Sequence, residues 1–315
     1  MKKFIVYANC QGPALAKTLV EAKAFKEEYE YQLIKPVQTL RENDISHVRE
    51  QFAKADLIIC QPISSGVTDK IKQTFGGVKS MISRQTSPGR RPKELDTDEM
   101  LKYAKKNARI YFFPSLYFNA YFPHLDAMNI KSVLNRVHDF IIVGSFLKGN
   151  SVKKTLEIIN SETLYPKELS LSFANHGLEE LKHRESVHRI SFTISEFIED
   201  NYKTIKLFNQ FNHPRKPVFN YLATKIFQEL GIAFLKEEFS NRTGLDGTCV
   251  PLQKSTYRNL GIEFQENFKS YRVSPKEEMV QEDVVRAFYQ AYEGVDKKFL
   301  QSVLSKRKPF VRDLI

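Results

Sequence analysis

Cys10 stands between Asn9 and Gln11 at the end of the apolar run Phe4-Ile5-Val6-Tyr7, and Pro13 follows Gly12. The run reads as a buried strand. Pro13 with Leu15, Ala16, Leu19 and Val20 reads as an amphipathic helix opened by proline. A thiol at a strand-to-helix turn faces the unpaired N–H groups of the helix start, which favour a thiolate or an oxyanion. Cys10 is therefore a candidate nucleophile, and Asn9, Gln11 and the helix-start amides are candidate oxyanion donors. Gly12 is a candidate position for cofactor approach. The structural alternative is a small buried cysteine in a turn shaped by Asn9 and Gly12.

Three further segments carry the same kind of chemistry. Leu57-Ile58-Ile59-Cys60-Gln61-Pro62 repeats an apolar strand ending in Cys-Gln, so in a parallel sheet Gln61 and Ser64 would emerge beside Cys10 and Gln11 as ligand donors, with Cys60 in the strand core. The stretch from Pro114 to His124 is rich in aromatics. Tyr117, Phe118, Tyr121 and His124 could line a wall for a sugar or an adenine ring, or could plug the junction between sheet and helices. Asn212 and His213 precede the helical pattern of Val218, Leu222, Ile226 and Leu230. A positive helix end there would hold the imidazole neutral, as a general base requires, whereas a capping role would be purely structural. The other histidines show no metal-ligand spacing, and no metal is expected.

Lys plus Arg outnumber Asp plus Glu by 48 to 37 in 315 residues, a net +11 that suits phosphorylated or other anionic ligands. Arg84, Arg90 and Arg91 fall in a stretch without an acid and are candidate phosphate contacts for a cofactor, against the reading of a solvated surface. No recognition helix or zinc finger accompanies them, so nucleic acid is not the expected partner. Three widely spaced cysteines argue against a disulfide framework. No apolar run reaches the length of a membrane span, and the cytoplasm is the expected compartment.

Positioning these groups requires strands at Phe4–Tyr7, Tyr31–Val37, Asp56–Cys60 and Arg109–Phe113. They alternate with helices near Pro13–Glu28, Ile45–Ala53 and Asp96–Lys106. That alternation predicts an α/β protein with an N-terminal parallel, Rossmann-like sheet flanked by helices. Helical periodicity then dominates, at Val137–Leu147, Val152–Ile159, Ile194–Leu207, Pro217–Leu230 and Val280–Tyr292. The expected organisation is an α/β domain over 1–128 and a mainly helical region over 129–315. The breaker-rich segment Gly66–Pro92 is expected to form a flap over the strand ends.

Ala8-Asn9-Cys10-Gln11, the aromatic Pro114–Pro123 segment, Leu181–Glu185 and Phe211-Asn212-His213-Pro214 together resemble the WcbI-type polysaccharide biosynthesis proteins, with Ala8 where that family commonly has glycine. The resemblance spans roughly residues 1 to 265. It implies an O-acetyltransferase that uses acetyl-coenzyme A to decorate a sugar of a capsular or other surface polysaccharide. A sugar or polysaccharide acceptor is the implied partner, with peripheral contact to membrane-bound assembly machinery at the inner face of the membrane. In that reading His213 is the base, Asn9 and Gln11 serve the oxyanion, and Cys10 either forms an acyl-enzyme or shapes the pocket. The chain also resembles SGNH-type esterases at the level of fold, although Gln210 occupies the place of their orienting acid. A cysteine-dependent esterase and a noncatalytic nucleotide- or glycan-binding protein are the alternatives. Arg184 and Glu185 match the pattern of the WcbI-type family, and an ordinary surface ion pair accounts for them equally well, so they stand outside the catalytic set.

Overall fold

The computed structural model describes residues 1–64, 91–240 and 245–315. Arg84, Arg90 and most of the expected flap lie outside the described residues. The first half runs β1 (Lys2–Tyr7), α1 (Gln11–Leu19), α2 (Lys23–Glu28), β2 (Tyr29–Tyr31), α3 (Ile45–Lys54), β3 (Leu57–Cys60), α4 (Thr97–Leu101) and β4 (Arg109–Phe112). These strands form a parallel sheet in the order β2-β1-β3-β4. Alternation along β1 and β3 sends Phe4, Val6, Leu57 and Ile59 into one core and Ile5, Tyr7, Ile58 and Cys60 into another. Leu15, Ala16 and Leu19 of α1 cover the first face, and Val48, Phe52 and Met100 of α3 and α4 cover the second.

Register fixes the site. Tyr7 pairs with Cys60 and Cys60 with Phe112, so the three central strands end level. Ala8–Gln11, Gln61–Ser64 and Phe113–Tyr117 therefore leave the sheet along one edge, where open α/β sheets bind ligands. The expected strand over Tyr31–Val37 is shorter and lies earlier. After Gln32 N donates to Phe4 O the pairing stops, and Pro36 has no N–H to extend it.

The second half contains the hairpin β5 (Leu125–Ser132) and β6 (Asn135–Asp139), then α5 (Phe140–Leu147), α6 (Val152–Ile159), α7 (Lys167–Val187) and α8 (Ser195–Asn201). A short hairpin, β7 (Phe208–Gln210) and β8 (His213–Pro214), leads into α9 (Lys216–Leu230) and α10 (Lys254–Leu260). The chain continues with β9 (Ser270–Ser274), β10 (Glu277–Val280), α11 (Gln281–Glu293), α12 (Lys297–Arg307) and α13 (Val311–Leu314). The helix expected over Val137–Leu147 starts late because Asp139 Oδ1 accepts from Ile141 N at 2.8 Å and Ile142 N at 3.3 Å, capping α5 at Phe140. The boundary expected at 128/129 falls inside β5. One apolar core joins α1 and β1 to α9 and α11.

Periodicity did not single out α7, the 21-residue helix. Its apolar stripe of Phe173, Ala174, Leu178 and Leu181 is interrupted by Asn175, His176 and Gly177. Gly177 lies against Phe118, where a Cβ would stand in ordinary van der Waals contact at 3.5 Å from the ring. That close approach lays α7 over the Tyr117–Asn119 segment.

Candidate active site

Gln11 organises the strand ends. Its Nε2 donates to Leu116 O at 2.8 Å and Asn212 O at 3.0 Å, while its Oε1 accepts from Leu116 N at 3.1 Å and Gln61 Nε2 at 2.8 Å. Gln61 in turn accepts from Asn9 N at 3.1 Å through Oε1 and donates to Pro114 O at 3.4 Å. Both residues are fully buried, and every donor on both amides is committed to the protein. The expected ligand roles of Gln11 and Gln61 are thus replaced by a structural one, since each donor would have to abandon a buried carbonyl to reach a substrate.

Cys10 and His213 are the chain neighbours of Gln11 and Asn212, which that 3.0 Å hydrogen bond joins across the sequence. The turn of the β7–β8 hairpin is held on its other flank by Phe118 N donating to Phe211 O at 2.8 Å, with Tyr117 stacked at 6.4 Å from Phe211. Cys10 caps α1, but the helix start is not an open row of donors: Gln11 N bonds Asn9 Oδ1 at 2.9 Å and Gly12 N bonds Asn9 O at 2.9 Å. Of the expected oxyanion donors, the Cys10 N–H and the Asn9 side-chain amide are not taken up by the helix start; the first lies on its own thiol and the second on the Tyr117 hydroxyl. Burial pushes the Cys10 thiol up to about 11, its own N–H offsetting part of that, so the expected stabilised thiolate does not form at rest.

His213 is half-buried, and its Nδ1 and the Asn212 Oδ1 are buried with no partner among the described residues. Burial lowers His213 to about 4. The neutral imidazole thus arises from desolvation and not from a helix end, because α9 begins at Lys216 with Arg215 as its cap. For the same reason Asn212 and His213 do not cap that helix.

Of the aromatic segment, Tyr117 reaches the site. Its hydroxyl lies beside the Asn9 side chain and is influenced by Cys10, and burial raises it to about 12. Phe118 and Tyr121 are fully buried and His124 is 1% exposed, which corrects their expected role as a sugar-stacking wall. Tyr121 donates its hydroxyl to the backbone at Tyr202, and His124 packs within the core against Tyr165 and Asp139. Gly12 faces β1, where a Cβ would meet Ala8 Cβ at 3.1 Å. It serves helix-on-strand packing and not cofactor approach. Arg91 is paired with Asp96 at 2.6 Å beside the cap of α4, while its Nε is buried without a partner among the described residues. Ser64 is exposed beyond the end of β3.

Arg184 and Glu185 are not a surface ion pair. Glu185 accepts from Ile194 N at 2.6 Å, Ser195 N at 3.0 Å and Ser195 Oγ at 2.5 Å, tying down the start of α8. Arg184 lies over the Tyr117 ring at 5.6 Å and its Nη2 reaches Tyr117 O at 3.5 Å, while its Nε is buried without a partner. Burial lowers its basicity, and Glu180, Tyr117 and Glu185 act on it from beyond ion-pair distance among the described residues. A partly unsatisfied cation thus stands behind Tyr117, an arrangement suited to a phosphate or a developing oxyanion. Sequence reasoning named Arg184 but left it outside the catalytic set. The four-residue spacing of His176, Glu180 and Arg184, which puts all three on one face of α7, was the available signal.

Among the described residues no group of three or more His, Cys, Asp or Glu side chains is placed to hold a metal, and no helix is long and apolar enough to cross a membrane. A family described as polysaccharide biosynthesis enzyme WcbI matches residues 3–75 and 67–235. No curated protein matches the chain. A solved structure of native WcbI, described as a polysaccharide biosynthesis enzyme without a disulfide bond between coenzyme A and one of its cysteines, is similar with a TM-score of 0.79 at 20% identity, over 99% of this chain and 97% of that one. At that identity the likeness shows a shared fold.

Proposed function

This chain belongs to the WcbI family of polysaccharide biosynthesis enzymes, and from that premise we propose that it transfers an acetyl group from acetyl-coenzyme A to a sugar hydroxyl in surface-polysaccharide synthesis. The observation that supports the reading is the Gln11–Asn212 hydrogen bond, which joins the two chain segments that carry Cys10 and His213 at one buried junction. Coenzyme A would supply the activated thioester. The open Asn212 Oδ1, His213 Nδ1 and Arg184 Nε fit a polar ligand there, and the coenzyme A associated with the solved WcbI structure supports the same ligand class. His213 takes the proton of the acceptor hydroxyl as that oxygen attacks the acetyl carbon. The Cys10 N–H, Asn9 Nδ2 and the Tyr117 hydroxyl, with Arg184 behind the ring, face the charge that develops on the carbonyl oxygen. The proton passes from His213 to the departing thiolate.

Direct transfer is the route we assign. Burial pushes the Cys10 thiol up to about 11, which lowers its thiolate fraction at neutral pH and leaves either nucleophile dependent on a base. Intact-protein mass spectrometry after incubation with acetyl-coenzyme A tests this, with wild type and Cys10→Ala in parallel. No acetyl adduct on wild type, with calorimetry still detecting coenzyme A binding, is the expected result. An adduct that disappears in Cys10→Ala would establish the covalent route, and loss of both adduct and binding would remove the acetyltransferase reading.

A further inference from the structure

A cavity of about 390 Å³ opens where the start of α7 meets α10, bordered by Thr163, Tyr165, Pro166 and Lys167 on one side and Arg258 and Asn259 on the other. Its buried part is fixed. Tyr165 is 1% exposed, and Asn259 Nδ2 donates to Tyr165 O at 2.8 Å and Ser170 Oγ at 3.0 Å. Its rim is charged, because Lys167 and Arg258 are both exposed. Neither has a carboxylate within ion-pair distance among the described residues, the nearby Glu162 and Glu168 included.

Three largely buried cations each have a carboxylate partner: Arg91 pairs with Asp96, Lys206 with Glu266 and Lys216 with Glu21. Two unpaired positive charges bordering one concavity repel each other unless an anion comes between them. Within α7 the earliest backbone bond runs from Ser170 N to Pro166 O, which leaves the amides of Lys167, Glu168 and Leu169 free to add to the same ligand. Arg258 and Asn259 lie beyond the residues that match the family.

We propose that this cavity is a binding site for a phosphoryl group, held between Lys167 and Arg258. Lys167 and Arg184 are seventeen residues apart on α7, roughly 26 Å along its axis, so the ligand is not the group that reacts beside Cys10. Its purpose, holding the phosphorylated end of an acceptor, rests on the acetyl-transfer reading; its existence does not. The phosphoryl group belongs either to a soluble diphosphate or to a lipid headgroup, and the test separates the two.

Inorganic pyrophosphate is titrated by calorimetry into protein saturated with coenzyme A. In parallel, the protein is sedimented with vesicles of phosphatidylcholine alone or with phosphatidylglycerol added. Both experiments are repeated on the Lys167→Ala/Arg258→Ala double variant, whose altered side chains are exposed and leave the core intact. Pyrophosphate binding weakened at least tenfold in the double variant supports a soluble ligand. Sedimentation dependent on phosphatidylglycerol and lost in the double variant supports a lipid headgroup. Absence of both kinds of binding, or equal binding by wild type and double variant, overturns the proposal. Coenzyme A affinity is measured separately in the same samples and is expected to be unchanged by the double substitution, so failure of the Cys10 reading and failure of this one are distinct results.

Discussion

The Gln11 side chain makes four buried hydrogen bonds, two given and two received, to partners drawn from three different strand ends. Gln11→Ala would remove the partner of two carbonyls, of the Leu116 N–H and of one N–H of Gln61 Nε2 at a buried junction. An unfolding cost of about 3 kcal/mol or more is expected, read as a lower urea midpoint together with lost coenzyme A binding. Gln11→Glu keeps the volume but exchanges both donors for acceptors facing carbonyls, and is expected to be no better. His213 makes the complementary case. His213→Ala is expected to lower kcat by roughly 10² to 10⁴ with a small change in KM for acetyl-coenzyme A, as for loss of a base. Since burial holds the ring near 4, the acid limb of the rate profile is expected well below the 6.5 of free imidazole. Cys10→Ala, by contrast, is expected to cost less than tenfold, in keeping with direct transfer.

Among the elements, α7 matters because its C-terminal half does two jobs. Arg184 faces Tyr117 at the site, and the next residue anchors α8 with its carboxylate. Glu185→Ala removes all three bonds to Ile194 and Ser195 and is expected to destabilise the protein by about 2 kcal/mol, seen as a lower Tm. Arg184→Lys is expected to retain that stability while lowering kcat, because an ammonium can neither lie flat on the ring nor present its N–H groups as a planar fork. Equal losses of stability in both variants would assign Arg184 a structural role. The strands contribute through alignment: three of them end level, so a shift of one residue in β3 would turn Cys60 and Ile58 to the opposite face and withdraw Gln61 from Gln11.

At the scale of the whole molecule, buried titratable groups link stability to pH. Burial lowers His124 to about 3, and His138 and His213 to about 4, so each contributes stability present above 6.5 and lost as pH falls through its folded value. Asp139, raised by burial to about 7, acts in the other direction: its contribution is full below 3.8 and is lost as pH rises through 7. Three histidines against one carboxyl predict a lower denaturant midpoint at pH 5 than at pH 7.5, with the difference reduced in His138→Gln. The sequence by itself determined the parallel sheet, the placing of Cys10 at a strand end, and the convergence of three strand ends on one edge. Apolar alternation, Pro13 and turn residues act over a few positions and are written locally. Tertiary structure decided which atoms are free to do chemistry. Gln11 and Gln61 read as ligand donors until their partners, Leu116, Asn212 and Pro114, are brought to them from far along the chain. His213 owes its neutrality to burial, and Arg184 its place over Tyr117 to the docking of α7 on the Phe118 segment. Hydrogen-bond saturation and desolvation are sums over neighbours distant in sequence, which is why no local pattern encodes them.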